Sequence, residues 1–438
     1  MYLKLAVVRG HLLSGGTGAS ESTGRRGRSP LWRNSDFINV WTAETISVLG
    51  SQFYLLAIPL TAVLLLHATA ADMGVLFAVE MLPFLLFGLV VGVWVDRRKR
   101  RPIMIMSDLG RCAAVAVVPC AWALDALSMP VLYVVSFAAG VFTVFFDVAY
   151  MSYLPSLVDR ENLVDANSKL EASRSVSQTL GPSIAGLVVK VLTAPFAVLV
   201  NSFSYLASAV FLFRVTRDEP EPVSKGHPSV ASEIREGVAL IVRDPRLRAV
   251  AGCTATANLF WSIVAALFVL YAVEMYDLDS MDIGIVYGAG GVGAVLGALL
   301  AAGFSKRVGL GRSILLGSLI SALGGLLFVL VSPGLAFLLF AAGMLVSGLA
   351  NTVYNIGQVS LRQTITPDSQ MGKMNASMRF MIWGTMPLGG LLAGFLGEAL
   401  GLRDAIIVGV VGGLFAVLWI VFSPIAGMKE MPKADRPG

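Results

Sequence analysis

Three carboxylates stand where a carboxylate is costly. Glu44, Glu80 and Asp147 lie inside long apolar runs, and an ionisable group within a membrane helix costs roughly 2.5–3.5 kcal/mol on insertion scales. A carboxyl in such a place can bind and release a proton as its surroundings exchange apolar contact for water. At 1.5 Å per residue Glu44 is roughly 9 Å into the first run, and Glu80 roughly 12 Å into the second from the other side. Either is a candidate proton carrier; the alternative for each is a carboxyl hydrogen-bonded to a neighbouring helix. Asp147 falls near the end of the fourth run, on the side of the basic loop Arg97–Arg101. There it is expected to pair with Arg97 or Arg100 rather than to carry a proton.

Other chemistry finds no residues. Cys112, Cys120 and Cys253 sit in apolar runs without paired spacing, and His11, His67 and His227 are far apart, so neither a disulfide framework nor a metal site is expected. No Walker loop, G-x-S-x-G elbow or H-E-x-x-H helix occurs, so the chain is expected to be no enzyme and to need no cofactor. Gly288, Gly290 and Gly293 fit G-x-G-x-x-G, but inside an apolar run with no strand before it. Gly284, Gly288, Gly293 and Gly297 instead give the spacing of close helix packing.

The elements that must position the carboxylates follow from composition. Of 438 residues 56% are hydrophobic and 14% charged, against about 25% charged in a soluble domain. Twelve runs of membrane-spanning length occur at about 38–66, 72–95, 103–127, 129–154, 172–192, 195–213, 247–273, 283–304, 313–331, 335–358, 378–400 and 404–426. They are too long and too evenly apolar for barrel strands, so an all-α membrane bundle of twelve helices is predicted. Of the 33 Lys and Arg, only Lys190 and Arg403 fall on one side, with Arg111 inside the third run. Basic loops stay in the cytoplasm, which predicts a multi-pass protein with both termini cytoplasmic. The alternation excludes a nucleic-acid binder despite the net charge of +5. The acidic stretch Glu274, Asp277, Asp279 and Asp282 reads as a solvated turn.

Residues 1–30 read as a disordered cytoplasmic tail. A bundle at 31–213, a cytoplasmic linker at 214–246 with a surface helix from Ser232 to Val242, a second bundle at 247–426 and a tail at 427–438 complete the layout. The two bundles repeat: Asn34 and Asp244 are 210 residues apart, Gly92 and Gly303 211, Asn167 and Asn375 208, and Pro182 and Pro387 205. A parallel six-plus-six repeat leaves a cavity between its halves, and rocking them gives alternating access.

Gly92, Asp96, Arg97, Arg100 and Arg101, between the second and third runs, resemble the G-x-x-x-D-R-x-G-R-R/K loop of the major facilitator superfamily, with Lys99 in place of the second glycine. The resemblance implies a latch between halves. In it Gly92 allows close packing, Asp96 faces a helix N-terminus of the other half, and Arg97 and Arg100 pair with acids such as Asp147. Gly181, Pro182 and Gly186 are similar to the family's antiporter motif G-P-x-x-G-G, which accompanies export; plain packing is the alternative. The stretch from Leu31 to Pro424, including Phe145–Tyr150, Asn167–Arg174 and Val353–Arg362, resembles the bacterial drug and natural-product exporters, enterobactin-exporter-like and macrolide-efflux-like.

That resemblance implies the major facilitator fold in a bacterial inner membrane, exporting a small lipophilic compound in exchange for protons, as a monomer among lipids. Gln52, Tyr150, Asn351, Tyr354, Asn355, Gln358 and Trp383, polar or aromatic positions on helices expected to line the cavity, are the candidate substrate contacts. Uptake by proton symport and a non-transporting sensor or assembly partner are the competing readings.

Overall fold

The computed structural model describes residues 30–217, 219, 230–367 and 370–428. Nearly all of the expected tails at 1–30 and 427–438, and most of 218–229, lie outside them. Every regular element among the described residues is helical. The helices are α1 (Ser35–Leu66), α2 (Ala70–Asp96), α3 (Arg100–Ala123), α4 (Met129–Leu157), α5 (Leu163–Val191), α6 (Ala194–Phe213), α7 (Val230–Arg243), α8 (Pro245–Tyr276), α9 (Ser280–Val308), α10 (Leu310–Gly325), α11 (Ala336–Ile365), α12 (Met371–Trp383), α13 (Thr385–Leu400), α14 (Leu402–Phe415) and α15 (Leu418–Val421).

Twelve crossings result, with α12 and α13 forming one, broken at Gly384, and α14 and α15 another. Eleven are long and apolar enough to span a membrane by composition alone. The twelfth is α5, whose first half carries Asp165, Lys169, Glu171 and Arg174.

The repeat is written in the helix caps. Asn34 Oδ1 accepts from the Asp36 and Phe37 amides at 3.0 and 3.1 Å, and 210 positions later Asp244 Oδ1 accepts from Arg246 N at 2.8 Å. Thr69 with Asp72 and Asp279 with Asp282 form capping boxes at the starts of α2 and α9. Each offers acceptors to amides that have no partner within the helix. The preceding helices close on left-handed residues, His67 and Asp277, with φ of 49° and 54°. Such caps end a helix sharply enough to turn the chain back into the bilayer.

On the side of the basic loops, here the basic face, several helices outrun the apolar runs. α5 begins at Leu163 rather than 172, α12 at Met371 rather than 378, and α11 ends at Ile365 rather than 358. Hydropathy marks only the turns that need lipid, whereas backbone hydrogen bonding continues into polar sequence. One consequence is that Asp147, expected near a helix end, stands roughly 15 Å inside α4.

In the first bundle α1 packs on α5 and α6, α3 on α4 and α6, and α2 on α4; in the second α8 packs on α13 and α14, and α11 on α9 and α10. The bundles meet along α5–α9 and α2–α13. Both seams are built of small residues. The carbonyl of Pro182 occupies the space a Cβ on Gly284 would need, and the backbone of Gly390 and Gly394 does the same at Gly74. Gly293 and Gly297, on another side of α9, press instead against Leu345 and Leu349 of α11.

The far face is clasped. Lys190 Nζ lies 2.5 Å from Asp279 Oδ2, Ser280 Oγ donates to Gly186 O at 3.0 Å, and Ala71 N donates to Glu398 Oε1 at 3.1 Å. Burial alone would raise the Asp279 carboxyl, but Lys190 and the Met281 and Asp282 amides outweigh it and hold it below the ordinary aspartate range. Toward the basic end of the α5–α9 seam lies a small crevice lined by Ser175, Gln178, Thr179, Gly291, Ala294 and Val295. The contacts that clasp the two halves thus lie on the far face.

Candidate functional site

Charge is concentrated inside the first bundle. Arg174 of α5 donates to Glu44 Oε1 of α1 at 2.9 Å. With α1 beginning at Ser35, Glu44 lies roughly 14 Å from its end, deeper than its run suggested. On α3, Arg111 pairs with Asp108, and both are within 3% of complete burial. The Arg111 guanidinium lies between two rings, 4.2 Å from the centre of Phe146 and 4.3 Å from that of Tyr205. A planar cation stacks on aromatic faces as an ammonium cannot. A buried charge is tolerated only when paired in this way.

Asp108 was not singled out from the sequence, and Arg111 was noted only as a cation inside the third run. Their signal was available: an acid and a base three residues apart within one apolar run fall on the same face of a helix. Arg174 was visible only as one residue of a longer similarity.

Asp147 corrects an expectation. It makes no hydrogen bond or ion pair among the described residues, with Arg97 and Arg100 or with any other group. The cations whose charge reaches it are Arg111, Arg174 and, from the second bundle, Arg379. Its depth is the reason: the basic loop lies beyond the end of α4.

Glu80 is different again. It stands on α2 roughly 15 Å from the far-face end and has no hydrogen bond or ion pair among the described residues. It lies near Tyr54 of α1 and Tyr287 of α9, between the two halves. Its backbone carbonyl packs against Gly140 of α4.

The loop motif holds the linker rather than α4. The Arg101 amide donates to Glu219 Oε2 at 3.1 Å, Arg100 Nη1 lies 3.9 Å from Glu219 Oε1, and the Arg101 side chain donates to the carbonyls of Leu212 and Phe213 at 3.0 and 2.5 Å. Arg97 is exposed. Gly92 has no heavy atom within 4 Å of where its Cβ would stand, so it is not the close-packing position expected of it. The Asp96 side chain lies outside the described ones. The linker also reaches the second bundle, where Glu236 of α7 meets Lys373 of α12 at 2.5 Å.

Pro182 and Gly186 form the α5–α9 seam, while Gly181 backs onto Gln52 of α1. The seven candidate substrate contacts do not gather in one place. Tyr150 is buried and stacked on Phe146 at 6.2 Å. Tyr354 is buried with its hydroxyl 2.7 Å from Thr254 Oγ1, and Gln358 is buried and donates to Asn355 Oδ1 at 3.2 Å. Of these contacts, that of Tyr354 joins α11 to α8, and the other two lie within one helix. Asn351 is exposed, and Trp383 faces Phe84 of the other half at 5.3 Å.

Comparison with known proteins agrees with the architecture. The chain is 25% identical over 375 residues to macrolide efflux protein A of Streptococcus pyogenes, covering 84% of this chain and 90% of that one. It is 27% identical over 385 residues to the multidrug efflux pump Tap of Mycolicibacterium fortuitum, covering 85% and 91%. A bacterial homologue of the iron transporter ferroportin, solved in an inward-facing state, superposes with a TM-score of 0.72 at 16% identity, over 90% of this chain and 99% of that one. Residues 40–386 match the model of the Major Facilitator Superfamily. The protein is a multi-pass membrane transporter for small molecules, and it belongs to the Major Facilitator Superfamily.

Proposed function

We propose that the protein exports a small lipophilic compound across a bacterial inner membrane in exchange for protons, with Glu80 as the proton carrier. The observation that carries this reading is the contrast between two buried carboxylates. Glu44 is neutralised by Arg174 at 2.9 Å. Glu80 has no counter-charge among the described residues and stands where the halves meet, near Tyr54 and Tyr287. An unpaired carboxylate in a dry site is stable only as the neutral acid, so a change of access on either side of Glu80 moves a proton. The efflux relatives support the direction of transport, and the basic loops support cytoplasmic termini.

On this reading the cavity first faces the cytoplasm. Substrate enters from there, Glu80 releases its proton to the same side, and the halves rock. On the outer side a proton returns to Glu80 as substrate leaves. At 100 mV each entering charge supplies about 2.3 kcal/mol, enough for a modest gradient without ATP. The chain works as a monomer, since each half already finds its partner within it.

Inverted membrane vesicles with an acidic interior test this. Adding lipophilic antibiotics and siderophores outside should release protons in the presence of the wild-type protein, and Glu80→Gln should abolish that release while the protein remains folded. Release undiminished in Glu80→Gln would overturn the assignment.

A further inference from the structure

Helix α11 carries a polar stripe with no part in the proton step. Asn351, Asn355, Gln358 and Arg362 follow one another at intervals of four, three and four residues, which sets them on one face of the helix. The repeat fixes where that face looks. Gly140 of α4 packs against the Glu80 carbonyl, and Gly348 of α11, 208 positions later, packs against the Gly290 carbonyl. At that spacing Asn355 and Gln358 take the places of Asp147 and Tyr150. Asp147 lies near Arg379 of the second bundle, so its face of α4 looks toward the other half, and the α11 stripe looks back. Asn351 stands roughly 22 Å from the far-face end of α11 and is exposed; polar side chains at that depth face the bundle interior rather than lipid.

The stripe ends in unpartnered groups. Arg362 makes no hydrogen bond or ion pair among the described residues, and its Nε is enclosed. Thr366, one turn further on and 5% exposed, keeps an enclosed hydroxyl without a partner. Gln358, one turn back and 3% exposed, has the same at Oε1, while its N–H donates to Asn355 Oδ1 at 3.2 Å. Turning both amides over keeps the bond between them and puts an N–H in the unpartnered place. Enclosed polar atoms without partners are costly, and three in succession around one guanidinium mark room for a group that is not part of the fold. A guanidinium fork, a hydroxyl and a reversible amide together suit an oxyanion, and a carboxylate can accept from the fork through both its oxygens.

We propose that Arg362, with Thr366 and the Gln358–Asn355 amides, seats an anionic group of the transported compound, which makes that compound a lipophilic acid. This deepens the transport reading; it rests on the lipophilic substrate, not on the direction of transport or the proton carrier. Arg362 lies roughly 5 Å from the basic-face end of α11, where an acid arriving from the cytoplasm meets it first.

Energy transfer from tryptophan to pyrene measures the binding of 1-pyrenebutyrate and of its primary amide to the full chain in neutral detergent, with no gradient or flux. 2-Naphthoate and 2-naphthamide, competing for the same signal, extend the pair to a smaller skeleton. The wild-type protein should bind at least one acid tenfold or more tightly than its amide, the scale of a charge-assisted contact. Arg362→Gln should bring that acid down to the amide and leave the amide unchanged. Arg362→Lys, which keeps the charge without the planar fork, should retain part of the preference. A wild-type protein that prefers neither acid, a preference that survives Arg362→Gln, or equal loss of acid and amide in that variant would overturn the proposal. Phosphatidylglycerol in the micelle that abolishes the preference while sparing the amide would assign the guanidinium to a lipid headgroup, and so overturn it too. Failure of Glu80 as proton carrier leaves these equilibria untouched, so the two proposals fail separately.

Discussion

Helices α1, α2 and α3 begin at Ser35, Ala70 and Arg100, and α8, α9 and α10 at Pro245, Ser280 and Leu310, each 210 residues later. At that spacing Glu44, Glu80, Asp108 and Arg111 of the first bundle correspond to Thr254, Gly290, Ser318 and Ser321 of the second. Where the first bundle holds ions, the second holds hydroxyls and close backbone contact: Thr254 bonds Tyr354 at 2.7 Å, and Gly290 O fills the space a Cβ on Gly348 would need. Its core is instead aromatic, with Phe268 edge-on to both Phe328 and Phe340 at 5.4 Å. The same scaffold folds without the charges, so the first bundle retains them against their desolvation cost for work rather than for architecture.

The largest effect should come from breaking that asymmetry at its most buried point. Arg111→Met leaves Asp108 unpaired in the bundle interior, a change that costs about 3–5 kcal/mol, and should appear as a collapse of thermal stability in detergent. Adding Asp108→Leu should recover much of the loss, whereas Ser321→Ala, at the equivalent position, should change stability little. An Arg111→Met protein as heat-stable as its parent would show that Asp108 needs no counter-charge in the bundle interior.

The seams should respond next. Gly284→Leu must displace the Pro182 carbonyl, and transport should fall by more than tenfold, the scale on which misplacement of a functional interface acts, while each bundle keeps its helicity. Gly303→Leu, at a position with nothing within 4 Å, is the control and should transport normally. Equal activity in both variants would mean that the α5–α9 contact is not part of the moving interface.

The far-face clasp should show the smallest effect, since Lys190 and Asp279 are both substantially solvent-exposed and such pairs contribute little. Asp279 is held below its ordinary value of about 3.9, so its contribution is complete above that pH and fades as pH falls through the lower folded value. Spin-label distances across the far face should thus be constant at neutral pH and lengthen only in acid below about pH 4. Lengthening near neutrality would place the clasp elsewhere.

These residues also show what a sequence makes legible. The twelve crossings were readable because lipid demands about twenty apolar residues from each, and the repeat because caps such as Asn34 and Asp244 must recur where helices restart. The glycines of α9 were readable as packing positions, though not that Gly284 and Gly288 serve α5 while Gly293 and Gly297 serve α11. Pairing was the hidden part. Glu44 and Arg174 are 130 positions apart, and no local pattern tells which buried acid will find a base. Asp147 was given the wrong partners for the same reason, since its run ended before its helix did. The substrate contacts were dispersed because residue type alone does not say which side of α11 faces the cavity.

The central claim is that coupling resides in an unpaired carboxylate of the first bundle. It is tested most directly by comparing gradient-driven export with gradient-free substrate exchange in proteoliposomes, using any compound that passes the vesicle screen. Glu80→Gln should retain exchange and lose gradient-driven accumulation, and Glu44→Gln should weaken accumulation less. Full gradient-driven export by both variants would contradict the account.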